Sequence, residues 1–108
     1  MTEILQVLGQ IVPSANTLTP LYTVPGSISA SVSSITICNQ NSLDVLIRIS
    51  IAVGGEADDP KQYLYFDLPL DGNDTFIATI GISLASGDIV RVQSNTENVS
   101  FNIFGVEV

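Results

Sequence analysis

Asp44–Val53 reads Asp-Val-Leu-Ile-Arg-Ile-Ser-Ile-Ala-Val, with Val45, Ile47, Ile49, Ile51 and Val53 at every second position. A period of two is that of a β-strand, whose side chains point alternately to opposite faces. One parity is wholly aliphatic, while the other carries Arg48 and Ser50. The stretch therefore predicts a central strand of a sheet with one face on a core and the other toward water.

Similar runs lie on both sides of it. Leu21–Val24 is a short strand ended by Pro25-Gly26, a dipeptide suited to a type II turn with glycine at positive φ. Ile28–Cys38 alternates through Ile28, Ala30 and Val32, then changes parity at Ser33-Ser34 before Ile35 and Ile37. That shift predicts a bulge or bend where the strand crosses between sheets. Asn39–Ser42 is a turn into the central strand, and Gly54-Gly55 opens an acidic loop, Glu56–Lys61.

Gln62–Leu68 holds Tyr63, Leu64, Tyr65 and Phe66, the pattern of a strand covered on both faces and stopped by Pro69. Asp71-Gly72-Asn73-Asp74 is a turn into a strand over Thr75–Ile80. Leu84–Asp88 turns into Ile89–Gln93, and Ser94–Asn98 turns into a last strand, Val99–Val108. Seven or eight strands at intervals of about 8–12 residues predict an all-β antiparallel β-sandwich. A jelly-roll-like topology is preferred over an immunoglobulin-like one.

Glu3–Val12 fits a helical stripe about as well as a strand, and Val12-Pro13 and Thr19-Pro20 bracket a polar stretch. Residues 1–20 are accordingly set apart as an N-terminal arm and residues 21–108 as the β-sandwich domain. The arm either wraps its own sheet or docks on a neighbouring subunit. A chain of 108 residues is one domain. With 45% hydrophobic residues and only 13% charged, it is expected to hide part of its surface against copies of itself or a larger partner.

Eleven acids against Arg48, Lys61 and Arg91 leave a formal charge of −8. That argues against nucleic acid and against an anionic membrane surface as partners, since both recruit Lys and Arg. The start, Met1-Thr2-Glu3-Ile4, has no basic n-region, so no signal peptide is read and cytoplasmic synthesis is the default. Cys38 is the only cysteine, and its neighbours Val32, Ile35 and Ile37 make it look like a small buried hydrophobe.

Chemistry is sparse. The chain contains no His, so a histidine base and the usual zinc sets are out of reach, and no serine sits in a Gly-x-Ser-x-Gly elbow. Asp58-Asp59 in one loop and Asp71 with Asp74 in another could approach as a carboxylate pair across a sheet end. Acids in such turns more often bond local backbone. Asp71, Asn73 and Asp74 resemble a fragment of a calcium loop but lack its spacing and closing Glu. Asn73-Asp74-Thr75 and Asn98-Val99-Ser100 match the glycosylation sequon, which carries no weight without a secretion signal. Tyr63, Tyr65 and Phe66 could stack a sugar or a partner's side chain, though such clusters are usually core. No catalytic, cofactor-binding or metal-ligating residue is assigned, no cofactor is expected, and the protein is read as not an enzyme.

Several stretches add a resemblance: Leu8-Gly9-Gln10, Leu21-Tyr22-Thr23-Val24-Pro25, Ile37-Cys38-Asn39, Tyr63-Leu64-Tyr65, Asn73-Asp74-Thr75-Phe76, Leu84-Ala85-Ser86-Gly87-Asp88 and Phe101-Asn102-Ile103-Phe104-Gly105. In this order, over nearly the whole chain, they resemble small virion structural proteins of tailed bacteriophages, often encoded among head and tail genes. The resemblance implies a non-enzymatic building block: a capsid decoration or cement protein on the outer surface of the virion shell, bridging subunits of the major capsid protein. Homo-oligomers, often trimers, are an implication of that class. The alternatives are a tail or baseplate component, and a carbohydrate- or receptor-binding module using Tyr63, Tyr65 and the acidic loops.

Overall fold

The computed structural model describes residues 4–108, and the first three residues of the expected arm lie outside the described residues. Nine strands follow one another: β1 Gln6–Ile11, β2 Thr19–Thr23, β3 Ala30–Asn39, β4 Val45–Ala52, β5 Tyr63–Leu70, β6 Thr75–Ala78, β7 Ile82–Leu84, β8 Ile89–Ser94 and β9 Val99–Glu107. They form two antiparallel sheets packed as a sandwich. Sheet A has the order β1-β9-β3-β6, with β7 also on β3, and sheet B has the order β2-β8-β4-β5. The fold is all-β, as the spacing of turns predicts.

The central strand keeps its parity. Ile47, Ile49 and Ile51 of β4 pair with Ser94, Val92 and Val90 of β8, and this row faces sheet A. Val45, Ile47, Ile49, Val90 and Val92 meet Val32, Ile35, Ile37, Val99, Phe101 and Ile103 in one buried cluster. Branched aliphatic side chains fill most of this interior, and they suit a pleated surface because their χ1 is already restricted. Val53 lies beyond the strand, in a 3-10 turn over Val53–Gly55, and is 62% exposed rather than part of the core row.

Other expectations are corrected in detail. The register of β3 against β9 does shift between Val32 and Ser34, yet β3 stays in sheet A on both sides of that bulge. The facing edge is broken opposite the bulge: the strand expected over Thr75–Ile80 ends at Ala78 as β6 on Ile35–Cys38, and a further short strand that was not expected, β7, pairs with Ala30–Val32. Cys38 is half-buried on the outer side of sheet A, because alternation sets it opposite to the buried Ile37. The turn after Val24 places Ser27, not Gly26, at positive φ.

The strand predicted over Gln62–Leu68 is covered on one face only, with Leu64 and Phe66 exposed, and it lies at the edge of sheet B. Its edge position also explains why Pro69 does not stop it, since an edge residue need not donate to a ladder. Residues 6–11 of the expected arm form β1 along β9. A Cβ on Gly9 would collide with the backbone carbonyl of Leu21, so glycine here allows β1 to approach β2 across the sheets.

Two polar joints tie the sheets. Asn39, buried at the end of β3, donates from Nδ2 to the carbonyls of Leu43 (2.9 Å), Leu70 (3.3 Å) and Asp71 (3.0 Å). Its Oδ1 accepts from the Asn41 backbone N–H at 2.9 Å. Near the other end of β3, the Tyr22 hydroxyl of sheet B donates to Glu107 Oε2 of sheet A at 2.6 Å.

Candidate functional site

The two outward faces differ in kind. On sheet A the register sets Gln10, Asn102, Thr36 and Ile77 in one row, Ser100, Cys38 and Thr75 in a second, and Val7, Phe104 and Ser34 in a third. These are hydroxyls, amides and apolar groups, with Gln10 Nε2 donating to Asn102 Oδ1 at 2.7 Å. The five strands of this sheet contain one charged residue, Glu107, and its carboxylate is engaged by Tyr22. Ile77 stands 59% exposed within the face.

Sheet B carries its charge outward. Arg48 and Gln93 form one pair on its outer side, and Ser50 and Arg91 the next. Residues 53–62 fold back over part of this face: Arg91 Nη1 donates to the Glu56 carbonyl at 2.8 Å, and Gln62 Nε2 donates to the Ala57 carbonyl at 2.9 Å. Ser50 therefore points outward by parity but is 0% exposed. Ser50 Oγ and Gln62 Oε1 are buried without a hydrogen-bond partner among the described residues.

Beside this covered patch lies an open groove of about 500 Å³, lined by Arg48, Asp58, Pro60, Tyr63 and Phe66. Arg48 Nε donates to Asp67 Oδ1 at 2.7 Å and Nη2 to Oδ2 at 3.3 Å. The fork holds the guanidinium flat, with Cζ 3.9 Å from the centroid of the Phe66 ring. Tyr63 meets Phe66 edge to face at 5.1 Å and 84°. The Tyr63 hydroxyl donates to Asp58 Oδ1 at 2.8 Å.

Hydrogen bonding from Arg48 holds the Asp67 carboxyl below its ordinary range, and the same contact raises the guanidinium. Burial, and then the bond to Asp58, pushes the Tyr63 phenol up. Asp67 makes this assembly possible. It sits inside β5 with φ of 54°, a left-handed residue at a bulge, where the register against β4 jumps from Ile47–Leu68 to Ile49–Tyr65.

The residues singled out from the sequence separate clearly. Tyr63 and Phe66 line the groove, whereas Tyr65 packs against Phe76 at 5.5 Å and belongs with the core. The two acidic loops stand at opposite ends of the eight-residue β5, roughly 25 Å apart at ~3.3 Å per residue. Asp58-Asp59 and Asp71 with Asp74 are thus not brought together.

Asp59 Oδ1 accepts from the Lys61 N–H at 3.1 Å and Asp74 Oδ1 from the Thr75 N–H at 2.8 Å, so both serve their own turns. Among the described residues no group of three or more His, Cys, Asp and Glu side chains is gathered around a point that could hold a metal ion. Asn73 and Asn98 of the two sequons both occupy positive-φ turn positions. Sequence reasoning missed Arg48 and Asp67 as site residues. Their pairing across a bulged register has no local signal, although Asp58 and Tyr63 are close enough in sequence to have suggested each other.

No helix among the described residues is long and apolar enough to cross a membrane. No protein-family model matches this chain, and no curated protein does. Among solved structures a similar chain is a pentameric capsid protein isolated from metagenomic phage sequences, with a TM-score of 0.35 and 16% identity. The likeness covers 94% of this chain and 62% of that one, so the chain spans less than two thirds of that protein's length.

Proposed function

We propose that the protein is a non-enzymatic virion structural subunit of the decoration or cement type, which seats the outer face of sheet A on major capsid protein subunits and bridges them. The sequence resemblance suggests the setting. The observation that carries the reading is the distribution of charge.

A chain of net charge −8 keeps the outer rows of its largest sheet free of ions. Burying an unpaired carboxylate is expensive, and the cores of protein interfaces are depleted in charge for that reason. At ~3.3 Å per residue and ~4.8 Å per strand, the five strands of sheet A present on the order of 500 Å². That is more than half of the ~800 Å² per partner of a standard interface. Each apolar Å² buried contributes roughly 25 cal/mol, and bridging two subunits multiplies weak single contacts. Such a role needs no active site.

The strand order adds support for a jelly-roll reading. β1-β9-β3-β6 faces β2-β8-β4-β5, and the chain passes between the sheets at most connections. Jelly rolls serve viral capsid and lectin domains alike, so the fold by itself does not select the function.

The decisive experiment is cryo-microscopy of particles carrying the protein, together with maleimide labelling of Cys38 before and after attachment. Density repeated over the shell and a protected thiol are expected. Density confined to the tail would move the protein to a tail or baseplate role, and a thiol equally reactive on the particle would remove sheet A as the docking face.

A further inference from the structure

We propose that the groove on sheet B is a binding site for a neutral saccharide. It lies on the opposite side of the sandwich from sheet A. That it would face outward on a particle rests on the reading above, whereas the binding itself does not.

Phe66 is a large aromatic side chain left 58% exposed on an edge strand. Arg48 covers one of its faces, held there by two bonds to Asp67, and Tyr63 fixes its edge while being held in turn by Asp58. The ring is thus positioned before any ligand arrives, which lowers the ordering cost of binding. A groove of about 500 Å³ lies within the ~300–1,000 Å³ of ordinary ligand sites.

The groove that Phe66 lines is also lined by an acceptor, the Asp58 oxygen that Tyr63 does not use, and by Arg48, whose N–H groups not engaged by Asp67 are donors. Each alternative chemistry meets an obstacle. A cation would enter a groove lined by the Arg48 guanidinium, which already lies on one face of Phe66 and would repel it. An anion would find Arg48 neutralised by Asp67, with Asp58 adjacent, on a chain of −8. A purely apolar ligand would strip water from Asp58 and Arg48 and offer no hydrogen bonds in return. A pyranose answers all three, with an apolar C–H face to lie on Phe66 and a rim of hydroxyls to meet the carboxylate and the guanidinium.

The test is a backbone N–H correlation spectrum of the full chain titrated with lactose, cellobiose and N,N′-diacetylchitobiose, with choline and sulfate as charged controls, and a glycan array of bacterial surface polysaccharides. Saturable shifts confined to Arg48 and residues 58–67 are expected with at least one saccharide. Phe66→Ala should weaken that binding about tenfold, and Phe66→Tyr should keep it. Thr36→Lys on sheet A should leave it unchanged, and Phe66→Ala should leave particle attachment unchanged, so this proposal and the docking role fail separately. Absence of binding across the panel and array, binding indifferent to Phe66→Ala, or shifts with choline and none with saccharides would each overturn the site.

Discussion

The outer faces of sheets A and B are cut from similar strand-forming sequence, yet they differ in the feature that decides what can approach them. Sheet A shows rows of Ser, Thr, Asn and Gln with Ile77 and Phe104 among them, and its one ion, Glu107, is turned to Tyr22. Sheet B shows Arg48, Asp67 and Arg91, an exposed ring and a folded-back loop. An uncharged, regular face can be covered by another protein without stranding an ion, whereas a face of fixed charges and aromatics is suited to a small polar ligand. Ions on the outer side also protect a sandwich from edge-to-edge association, and β5 carries both a charge and a proline. On the proposed reading, the two faces divide the work of being held and of holding.

The most direct way to break this comparison is to place the same charge on each face. Thr36→Lys inserts an ammonium in the middle of sheet A, and Gln93→Lys does so beside Arg48 on sheet B. Both sites are half-exposed, so folding stability should move by no more than about 0.5 kcal/mol in either variant. Attachment to particles should fall more than a hundredfold with Thr36→Lys, because an unpaired buried charge costs about 3 kcal/mol or more. It should be unaffected by Gln93→Lys. Equal binding by the two variants, measured by co-sedimentation, would erase the distinction between the faces.

A second test asks whether the faces are presented back to back by the joints described. Asn39→Ala removes three donor contacts to carbonyls and the acceptor for Asn41. Leaving buried carbonyls unpaired should cost about 2–3 kcal/mol in urea unfolding. A loss under about 1 kcal/mol would show that packing alone fixes the sheets.

The other joint can be read by pH. Burial, then the hydrogen bond to Glu107, raises the Tyr22 phenol well above its ordinary value. The folded state therefore keeps its proton after the unfolded chain has lost it. The stabilisation is complete below the unfolded value of about 10 and is lost as pH rises from there through the folded value. Tyr22→Phe should cost about 1 kcal/mol at neutral pH through the lost bond. Above about pH 10 the gap to the native chain should close, at up to ~1.4 kcal/mol per pH unit for one proton. A constant gap up to the alkaline limit would mean the phenol is not buried in the joint.

Much of the scaffold could be read from residue alternation, and the groove could not. The row Val45, Ile47, Ile49 and Ile51 announces the core side of β4, and the parity break at Ser33-Ser34 announces the bulge in β3. Cys38 was misjudged because its apolar neighbours in sequence outweighed its parity, although alternation alone puts it outside. β5 differs from its expectation for another reason: a run of aromatics looks alike whether protein or water covers its outer face, and only the packing of the folded chain decides that. The groove depends on a left-handed Asp67, an unusual conformation with no sequence marker of the kind that glycine or an Asn-Gly pair supplies. Without that bulge nothing in the sequence brings Arg48, Tyr63 and Phe66 together.

The smallest expected effect sharpens where the outer face of sheet B ends. Ser50 belongs to that face by its pairing with Arg91, but residues 53–62 cover it, and its hydroxyl is buried without a partner. A hydroxyl in that state costs desolvation and gives nothing back, so Ser50→Ala should leave stability unchanged or raise it by up to about 1 kcal/mol. The methyl group that remains keeps the site filled, which limits any cavity cost. Thermal unfolding of the two chains decides it. A loss of more than about 0.5 kcal/mol would mean that the hydroxyl bonds the overlying loop, making that loop a clasp for the neighbouring groove and not merely a cover.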